Sequence, residues 1–370
     1  MNKLVNRSNN LFFVRCTLYL NYVFVLAIVL AYLSSFIDPN LYWGFSFFGL
    51  SYPLLVIANL IFILIWIYLR QAYFLLSLFI ILIGYSHIGK YIQFSNSDSD
   101  DSKKNAINII SYNVQNFSKD NSGIFDKDVQ EKTFQFLEEQ NADIVCIQEY
   151  SYTGENIYAS HAQLKDRLEA NNYFYESYFK PGQGRVVGLV SFSRYPIVGK
   201  GIFELEAMRK FGIYTDLKIA EDTIRLYNIH LESIRLNADD YLYLTNTSSD
   251  QSDYKGDTRK IVRKIRMAFM KRANQVNLLN KHIQESPYPV VICGDFNDTP
   301  VSYTYHQIAS KYQDAFVCNG SGLGNTLIGK LPAFRIDYVL YDKSFTTLSY
   351  EEMNIKLSDH FPLKSSFSIQ

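Results

Sequence analysis

The chain has 370 residues, of which 48% are hydrophobic and 16% aromatic, which is enough for one domain of ordinary to large size plus further segments. Its 36 basic and 36 acidic residues balance, and residues 106–370 alone carry 29 basic and 32 acidic residues, a net charge of −3. A domain that binds long nucleic acid usually has a basic surplus, so the charge disfavours a general DNA-binding protein. Four cysteines do not predict a disulfide framework here.

The apolar residues are concentrated near the N-terminus. Residues 16–37, 46–69 and 72–92 carry almost no charge, and each segment is long enough to cross a bilayer as a helix. We therefore predict a three-helix transmembrane anchor, in which Pro53 kinks the second helix or delays its start. A signal peptide is the alternative for the first segment, but no small-residue cleavage site is evident and further apolar segments follow.

Basic residues near the apolar segments predict their orientation. Four of them lie before the first segment or between the second and third: Lys3, Arg7, Arg15 and Arg70. Because Lys and Arg are retained on the cytoplasmic side, residues 1–15 are predicted to form a cytoplasmic tail. Three crossings then place the rest of the chain outside a bacterial cytoplasmic membrane. Lys90, Lys103 and Lys104 favour the opposite orientation.

Residues 94–105 are polar and rich in Ser and Asp. Such a stretch is typical of a short flexible linker, and it follows the predicted anchor at residues 16–93. Residues 106–370 then alternate strand-like and helix-like segments. We predict that they form one folded domain.

Strand-like segments of this domain repeatedly end in polar residues. The clearest is residues 290–300, where a continuous apolar run ends in Gly-Asp-Phe-Asn, as expected for a strand buried on both faces. Further segments of this kind lie at residues 108–113, 144–149, 226–233, 335–339 and 357–362. Together they supply eight polar side chains: Asn113, Glu149, His230, Asp295, Asn297, Asp337, Asp359 and His360.

This set of side chains suits the hydrolysis of a phosphate ester. Carboxylate and amide oxygens are the hard ligands that Mg²⁺ prefers. A metal ion or another cation offsets the charge on phosphoryl oxygens. An imidazole and a carboxylate can position water and remove its proton.

In these motifs and in their order, residues 106–370 resemble the endonuclease/exonuclease/phosphatase superfamily, the group with the fold of pancreatic deoxyribonuclease I. The resemblance implies an α/β (or α+β) four-layer sandwich, with two central β-sheets flanked by helices and the site at one end. It also implies a metal site in which Glu149 is the principal Mg²⁺ ligand, Asn113 belongs to the first motif and Asp359 completes the set. Mn²⁺ is the alternative ion.

The same resemblance implies five catalytic residues. His230 would contact the scissile phosphate, Asp295 and Asn297 would align the attacking water, and Asp337 would orient His360. Family members differ in the number of metal ions and in the identity of the general base, so both stay open. Many family nucleases carry an acidic residue where this chain has a glutamine at position 115, which weakens the case for a second metal there.

Residues 257–284 are predicted to form a basic amphipathic helix after the polar segment 238–256. One interpretation is a solvated helix that packs on a sheet. The other is a basic surface for a phosphate-rich substrate or anionic lipid.

These observations predict a membrane-anchored, Mg²⁺-dependent phosphoesterase that hydrolyses phosphodiester or phosphomonoester bonds by metal-assisted attack of water. An extracytoplasmic endo- or exonuclease acting on DNA or RNA is the alternative, and a catalytically silent membrane interaction module is a third interpretation. The predicted partners are the lipid bilayer, through three helices, and the phosphate-ester substrate, with nucleic acid as an alternative. Nothing in the sequence points to an obligate protein partner.

Overall fold

The structure is a computed structural model that describes residues 2–94, 106–119, 124–152, 157–178, 186–204, 211–235, 240, 254–328 and 334–369. The predicted linker lies outside the described residues, except for Phe94. Most of the polar segment 238–256 lies outside them as well.

Helices make up most of the first 94 residues. They are α1 (Asn2–Ser34), α2 (Pro39–Tyr42), α3 (Gly44–Leu50), α4 (Tyr52–Tyr68), α5 (Phe74–Ile83) and α6 (Tyr85–Ile88), followed by strand β1 (Ile92–Phe94). Helices α1, α4 and α5 contact one another, and we call residues 2–94 the helical unit. A chain of buried hydrogen bonds joins its three longer helices.

In this chain, Asn21 Nδ2 donates to Ser77 Oγ at 2.7 Å, Ser77 Oγ donates to Asn59 Oδ1 at 2.9 Å, and Trp66 Nε1 donates to Asn21 Oδ1 at 2.8 Å. All four side chains are fully buried. Because an apolar surrounding offers polar atoms no other partner, these bonds fix how the helices pack.

The prediction of three spanning helices is wrong. Among the described residues, one helix, Leu11–Ser34, is long and apolar enough to cross a membrane, since 24 residues rise about 36 Å and a bilayer core is about 30 Å thick. The second predicted span is two helices, α3 and α4, that meet at an angle of 65° beside Pro53. Together they are long and apolar enough to cross a membrane only if they count as one broken span. Helix α5 ends at Gly84 after ten residues, a rise of about 15 Å. A membrane anchor and a signal sequence both fit one apolar N-terminal helix.

The remainder of the chain contains two six-stranded sheets, the front sheet in the order β13-β14-β2-β3-β5-β4 and the back sheet in the order β10-β12-β9-β8-β7-β6. The front strands are β2 (Ile107–Asn113), β3 (Ile144–Tyr152), β4 (Asn172–Ser177), β5 (Val186–Ser193), β13 (Phe345–Glu352) and β14 (Leu363–Ile369). The back strands are β6 (Ile197–Phe203), β7 (Gly212–Ile219), β8 (Asp222–His230), β9 (Val290–Asp295), β10 (Gln313–Asp314) and β12 (Asp337–Tyr341). A short strand, β11 (Ser321–Leu323), pairs with β1 of the helical unit.

Helices cover the outer face of each sheet. They are α7 (Lys127–Glu139) and α8 (Ile157–Arg167) on the front sheet, and α9 (Tyr254–Gln284) and α10 (Tyr303–Ala309) on the back sheet, with a short α11 (Ala315–Asn319) near the back sheet's edge. An apolar core between the sheets includes Ile109, Cys146, Leu226 and Val291, all fully buried. The two mixed sheets flanked by helices confirm the predicted architecture. Each strand alternates its side chains between two apolar layers.

The helical unit packs directly against the back sheet and its helices. Ser34 Oγ donates to the carbonyl oxygen of Val301 at 3.0 Å, and Val301 is buried among side chains of the helical unit. A Cβ on Gly49 would lie 2.3 Å from the same carbonyl oxygen, so only glycine permits this close approach. Asn40 Nδ2 also donates to Asn274 Oδ1 on α9 at 3.0 Å.

Gly294, in the Gly-Asp-Phe-Asn motif, provides a test of the close approach of strands β8 and β9. Its φ is +132°, and an added Cβ would lie 2.0 Å from the carbonyl oxygen of Ile229 on the neighbouring strand. We expect Gly294→Ala to lower the free energy of unfolding by at least about 2 kcal/mol, because backbone strain and a backbone clash add. Chemical denaturation of the full chain measures this. Gly322→Ala is the matched control, since its φ is also positive (+78°) but its Cβ meets nothing within 4 Å. An equal loss in both variants would contradict the role given to the clash.

Candidate active site

All eight predicted site residues lie at one end of the two sheets: Asn113, Glu149, His230, Asp295, Asn297, Asp337, Asp359 and His360. Strands β2 and β3 are parallel, so the residue that ends β2 lies beside Gln148. Strands β8 and β9 are also parallel, and the last residues of both strands are partners. Since the carboxyl ends of parallel strands meet at the same edge, the two parallel pairs bring these side chains together.

Two carboxylates lie on the solvent side of this cluster. The side chains of Glu149 and Asp359 are 25% and 27% exposed. Gln115 Nε2 donates to Asp359 Oδ2 at 2.9 Å, and Asn116 Nδ2 donates to Glu149 Oε2 at 3.1 Å. The two carboxylates are therefore contacted by consecutive residues of the same short turn. Gln115, the residue at the position where the sequence resemblance leads one to expect an acid, thus contacts Asp359 as a neutral amide.

Asp295 lies behind this pair and is fully buried. Its carboxylate accepts hydrogen bonds from Asn113 Nδ2 at 3.0 Å and from the backbone N and Nδ2 of Asn297 at 2.7 and 3.0 Å. Burial, followed by the nearby Asp337 carboxylate, raises the pKa of the Asp295 carboxyl to about 7. An acid with such a pKa exchanges a proton readily near neutral pH.

His360 is held between carboxylates. Its Nδ1 and Asp337 Oδ2 share a hydrogen bond of 2.8 Å, and its Nε2 lies 3.8 Å from Asp295 Oδ2. Burial alone would lower the pKa of His360, but the carboxylates of Asp337 and Asp295 outweigh it and hold that pKa well above its usual value. The two carboxylates therefore favour the protonated form of His360.

His230 has a partner that the sequence did not reveal. The hydroxyl of Tyr178 and His230 Nδ1 share a hydrogen bond of 2.7 Å, which leaves Nε2 directed into the site, 3.5 Å from Asp295 Oδ2 and 3.7 Å from Glu149 Oε1. A tyrosine just after strand β4 carries no motif, so only the fold places it here.

Further buried polar residues support the strand ends. Gln148 Nε2 donates to Asn228 Oδ1 at 2.8 Å across the space between the sheets. Arg272 of α9 donates through Nε to Asp298 Oδ2 at 3.0 Å and through NH1 to the carbonyl oxygen of Glu232 at 2.9 Å. These bonds fix the chain just beyond the two back-sheet strands that carry site residues. Arg272 lies within the helix that is predicted to be basic and solvated, whereas its side chain is 1% exposed.

Two groups of side chains could hold a metal ion. Ligand atoms of Asp295, Asp337 and His360 lie within 4.8 Å of one another, but these side chains are buried and already joined by hydrogen bonds within the protein. Glu149 and Asp359 offer partly exposed carboxylates. A hard dication such as Mg²⁺ keeps several waters and binds one or two carboxylates, so the exposed pair suits it better.

Comparisons with known proteins agree with this arrangement. The model of the endonuclease/exonuclease/phosphatase family matches residues 110–360. A second model, described only as a domain of unknown function, matches residues 10–91. No curated protein is similar enough in sequence to count as a match.

Solved structures share the fold at low sequence identity. A family protein from Bacteroides thetaiotaomicron is 17% identical with a TM-score of 0.52, over 72% of this chain and 98% of that chain. The catalytic domain of human nocturnin is 16% identical with a TM-score of 0.50, over 73% and 96% of the two chains. A Bacteroides thetaiotaomicron mannosyl-6-phosphatase is also 16% identical with a TM-score of 0.50, over 71% and 100%.

The family model covers more than half of the chain, including all eight predicted site residues. Members of the family are metal-dependent hydrolases that act on phosphoester bonds. The protein therefore belongs to the endonuclease/exonuclease/phosphatase family and is a metal-dependent hydrolase of phosphoester bonds.

Proposed function

We propose that the protein is a membrane-attached, Mg²⁺-dependent phosphoesterase that hydrolyses a phosphodiester or phosphomonoester by attack of water. One observation carries the proposal: the site has two layers. A partly exposed pair of carboxylates, Glu149 and Asp359, lies at the solvent side. A buried layer of an acid and two histidines, Asp295, His230 and His360, lies directly behind it.

The metal would be held by oxygen atoms of Glu149, Asp359 and Asn113. Asn113 Oδ1 accepts a hydrogen bond from the backbone N of Gln115 at 3.1 Å, so the amide oxygen faces the turn that contacts both carboxylates. Three oxygen donors, two of them charged, fit Mg²⁺ or Mn²⁺. When bound, the ion would offset negative charge on the phosphoryl oxygens.

The buried layer supplies proton transfer and positive charge. Asp295 is proposed to orient the attacking water and accept its proton, because the pKa of its carboxyl is raised to about 7. Asn297 holds that carboxylate through two hydrogen bonds. His360, kept protonated by Asp337, and His230 are proposed to donate hydrogen bonds to the phosphoryl oxygens as charge develops.

Membrane attachment is proposed from the surface of the helical unit. Of the 33 large hydrophobic side chains exposed in the described part of the chain, 27 lie before residue 95. A water-soluble surface rarely carries such a concentration, whereas a bilayer would cover it. The C-terminal end of α1 packs against Val301. With the basic N-terminal residues inside, one crossing by α1 would therefore put the catalytic domain outside the cytoplasm.

The substrate class is proposed to be a phosphoester presented at or near the bilayer. The net charge of −3 over residues 106–370 provides no general attraction for long nucleic acid. The likeness to a mannosyl-6-phosphatase and to nocturnin concerns the fold and does not select a substrate.

The decisive variant is Glu149→Gln. We expect it to lower turnover by on the order of a hundredfold or more, because a neutral amide binds a hard dication poorly, while the melting temperature stays near that of the wild type. The measurement is hydrolysis by the full chain, with a Mg²⁺ titration, of lipid phosphodiesters, small phosphomonoesters, DNA and RNA. Glu351→Gln, an exposed acid on β13, is the matched control. Wild-type turnover in Glu149→Gln, or full activity in excess chelator, would contradict the metal site. Preferred turnover of DNA or RNA would instead favour the nuclease.

Tyr178→Phe tests the positioning of His230. We expect kcat to fall by about tenfold, because the ring of His230 loses the hydrogen bond that fixes its orientation. The same hydroxyl accepts a hydrogen bond from the backbone N of Glu149 at 3.2 Å, so an unchanged Mg²⁺ dependence is needed to assign the loss to His230. Steady-state kinetics and thermal melting measure this. Tyr173→Phe removes a hydroxyl from the neighbouring strand β4 and should leave kcat unchanged. Equal kcat values for Tyr178→Phe and the wild type would show that the hydrogen bond does not matter for turnover.

Reporter fusions after Gln370 test the orientation. A reporter active only outside the cytoplasm should give signal, because basic residues before α1 hold the N-terminus inside. A second reporter, active only inside, should stay silent. Signal from the inside reporter alone would reverse the proposed orientation.

A further inference from the structure

An apolar groove lies where the helical unit meets the catalytic domain. It has a volume of about 370 Å³ and is lined by Leu30, Leu41, Tyr42, Trp43, Gly44, Phe45 and Phe48. Leu41 and Tyr42 are 73% and 67% exposed. None of the lining side chains is charged, and the volume falls within the range of ordinary ligand sites.

The groove lies at the level where α1 reaches the catalytic domain. Leu30 is four residues before Ser34, which is about 6 Å along a helix, and Ser34 Oγ contacts the Val301 carbonyl oxygen. If α1 crosses the bilayer, the groove is therefore at the boundary between the acyl chains and the headgroups, on the catalytic side. Tyr42 and Trp43 in its wall are the residue types that favour this boundary.

One arginine of α9 borders the groove, and two others lie on the same side of that helix. The guanidinium of Arg266 lies 5.1 Å over the ring of Trp43. Arg263 and Arg259, about one and two turns earlier, are exposed on the same side of the helix as Arg266. Among the described residues, no carboxylate forms an ion pair with these three arginines. By contrast, Lys264 of the same helix is paired with Asp240.

We propose that the groove binds one anionic phospholipid, with an acyl chain in the groove and the headgroup phosphate against Arg266. The apolar wall and the Arg266 guanidinium at its edge, which has no carboxylate partner in the part of the chain that the structure describes, match the two ends of such a molecule. Neither a free phosphate nor a neutral lipid would use both. This inference rests on the membrane attachment proposed above but not on hydrolysis. The bound lipid is a docking ligand that fixes the catalytic domain on the bilayer surface.

Two variants separate the two halves of the site. Gly44 lines the groove, and a Cβ added there meets nothing within 4 Å, so Gly44→Leu adds an apolar side chain at the groove with no clash at its Cβ. Arg266→Gln removes the charge and keeps a long polar side chain. Lys132→Gln is the matched control, because Lys132 is an exposed cation on α7, against the other sheet.

The probe is phosphatidylglycerol with brominated acyl chains, which quenches tryptophan fluorescence on contact. Full-length protein carrying Glu149→Gln, so that no lipid is consumed, is placed in phosphatidylcholine nanodiscs with increasing amounts of this lipid. The signal comes from Trp43, and Trp43→Phe gives the background of the buried Trp66. We expect saturable quenching at a low lipid fraction. Half-saturation should shift about fivefold or more upward in Arg266→Gln, as one lost cation near a phosphate implies. In Gly44→Leu the saturable phase should disappear.

Several results would overturn the inference. They are equal quenching by brominated phosphatidylcholine, unchanged curves in both Gly44→Leu and Arg266→Gln, an equal shift in Lys132→Gln, and displacement by soluble glycerol phosphate. Thermal melting of each variant checks that the fold is retained. Failure of the chain to enter nanodiscs would contradict both the proposed membrane attachment and the lipid site in the groove. Entry into nanodiscs without preference for phosphatidylglycerol would contradict the lipid site and leave the proposed membrane attachment in place.

Discussion

The active site depends on side-chain hydrogen bonds that join one sheet to the other. Asn113 of the front sheet donates to Asp295 of the back sheet, His360 before β14 bonds to Asp337 of β12, and Gln148 bonds to Asn228. The apolar core between the sheets is not directional, so it does not by itself set the position of one sheet along the other. These three polar contacts set that position. Two of them include Asp295 and His360, which are proposed to act at the phosphate. The contacts that align the two sheets therefore also assemble the site.

The site also stores strain and buried charge. Glu149 and Asn297 have φ values of 54° and 52°, and Glu149 sits where the pairing of β3 with β5 shifts register. Such a bulge re-aims a side chain, and each left-handed residue costs roughly 1–3 kcal/mol. The buried Asp295 adds a further cost because its charge has left water. The apolar layers on both sides of each sheet offset these costs, which is why a small catalytic cluster requires a large fold.

The strand ends could be predicted because each is marked locally: an apolar run covered on both faces stops at a polar residue, as at Cys293-Gly294-Asp295. The helical unit was harder: Pro53 marks the break before α4, but hydropathy does not show that the break is as sharp as 65° or that α5 stops at Gly84. Tyr178 and Arg272 were missed for a different reason. Their partners are 52 and 26 residues away in the sequence. No motif or periodic pattern around a single tyrosine or arginine indicates a contact over such a distance.

Only three residues separate Asn297, which holds the Asp295 carboxylate, from Val301, whose side chain is buried in the helical unit. The helical unit also contributes strand β1, which pairs with β11. Next to it, the carbonyl oxygen of Tyr91 accepts a hydrogen bond from Gly324 N. The helical unit and the catalytic domain are thus not interchangeable modules. Exchanging the helices for those of a relative would leave a loop next to the catalytic centre without its support, so the two parts are constrained to evolve as a single unit.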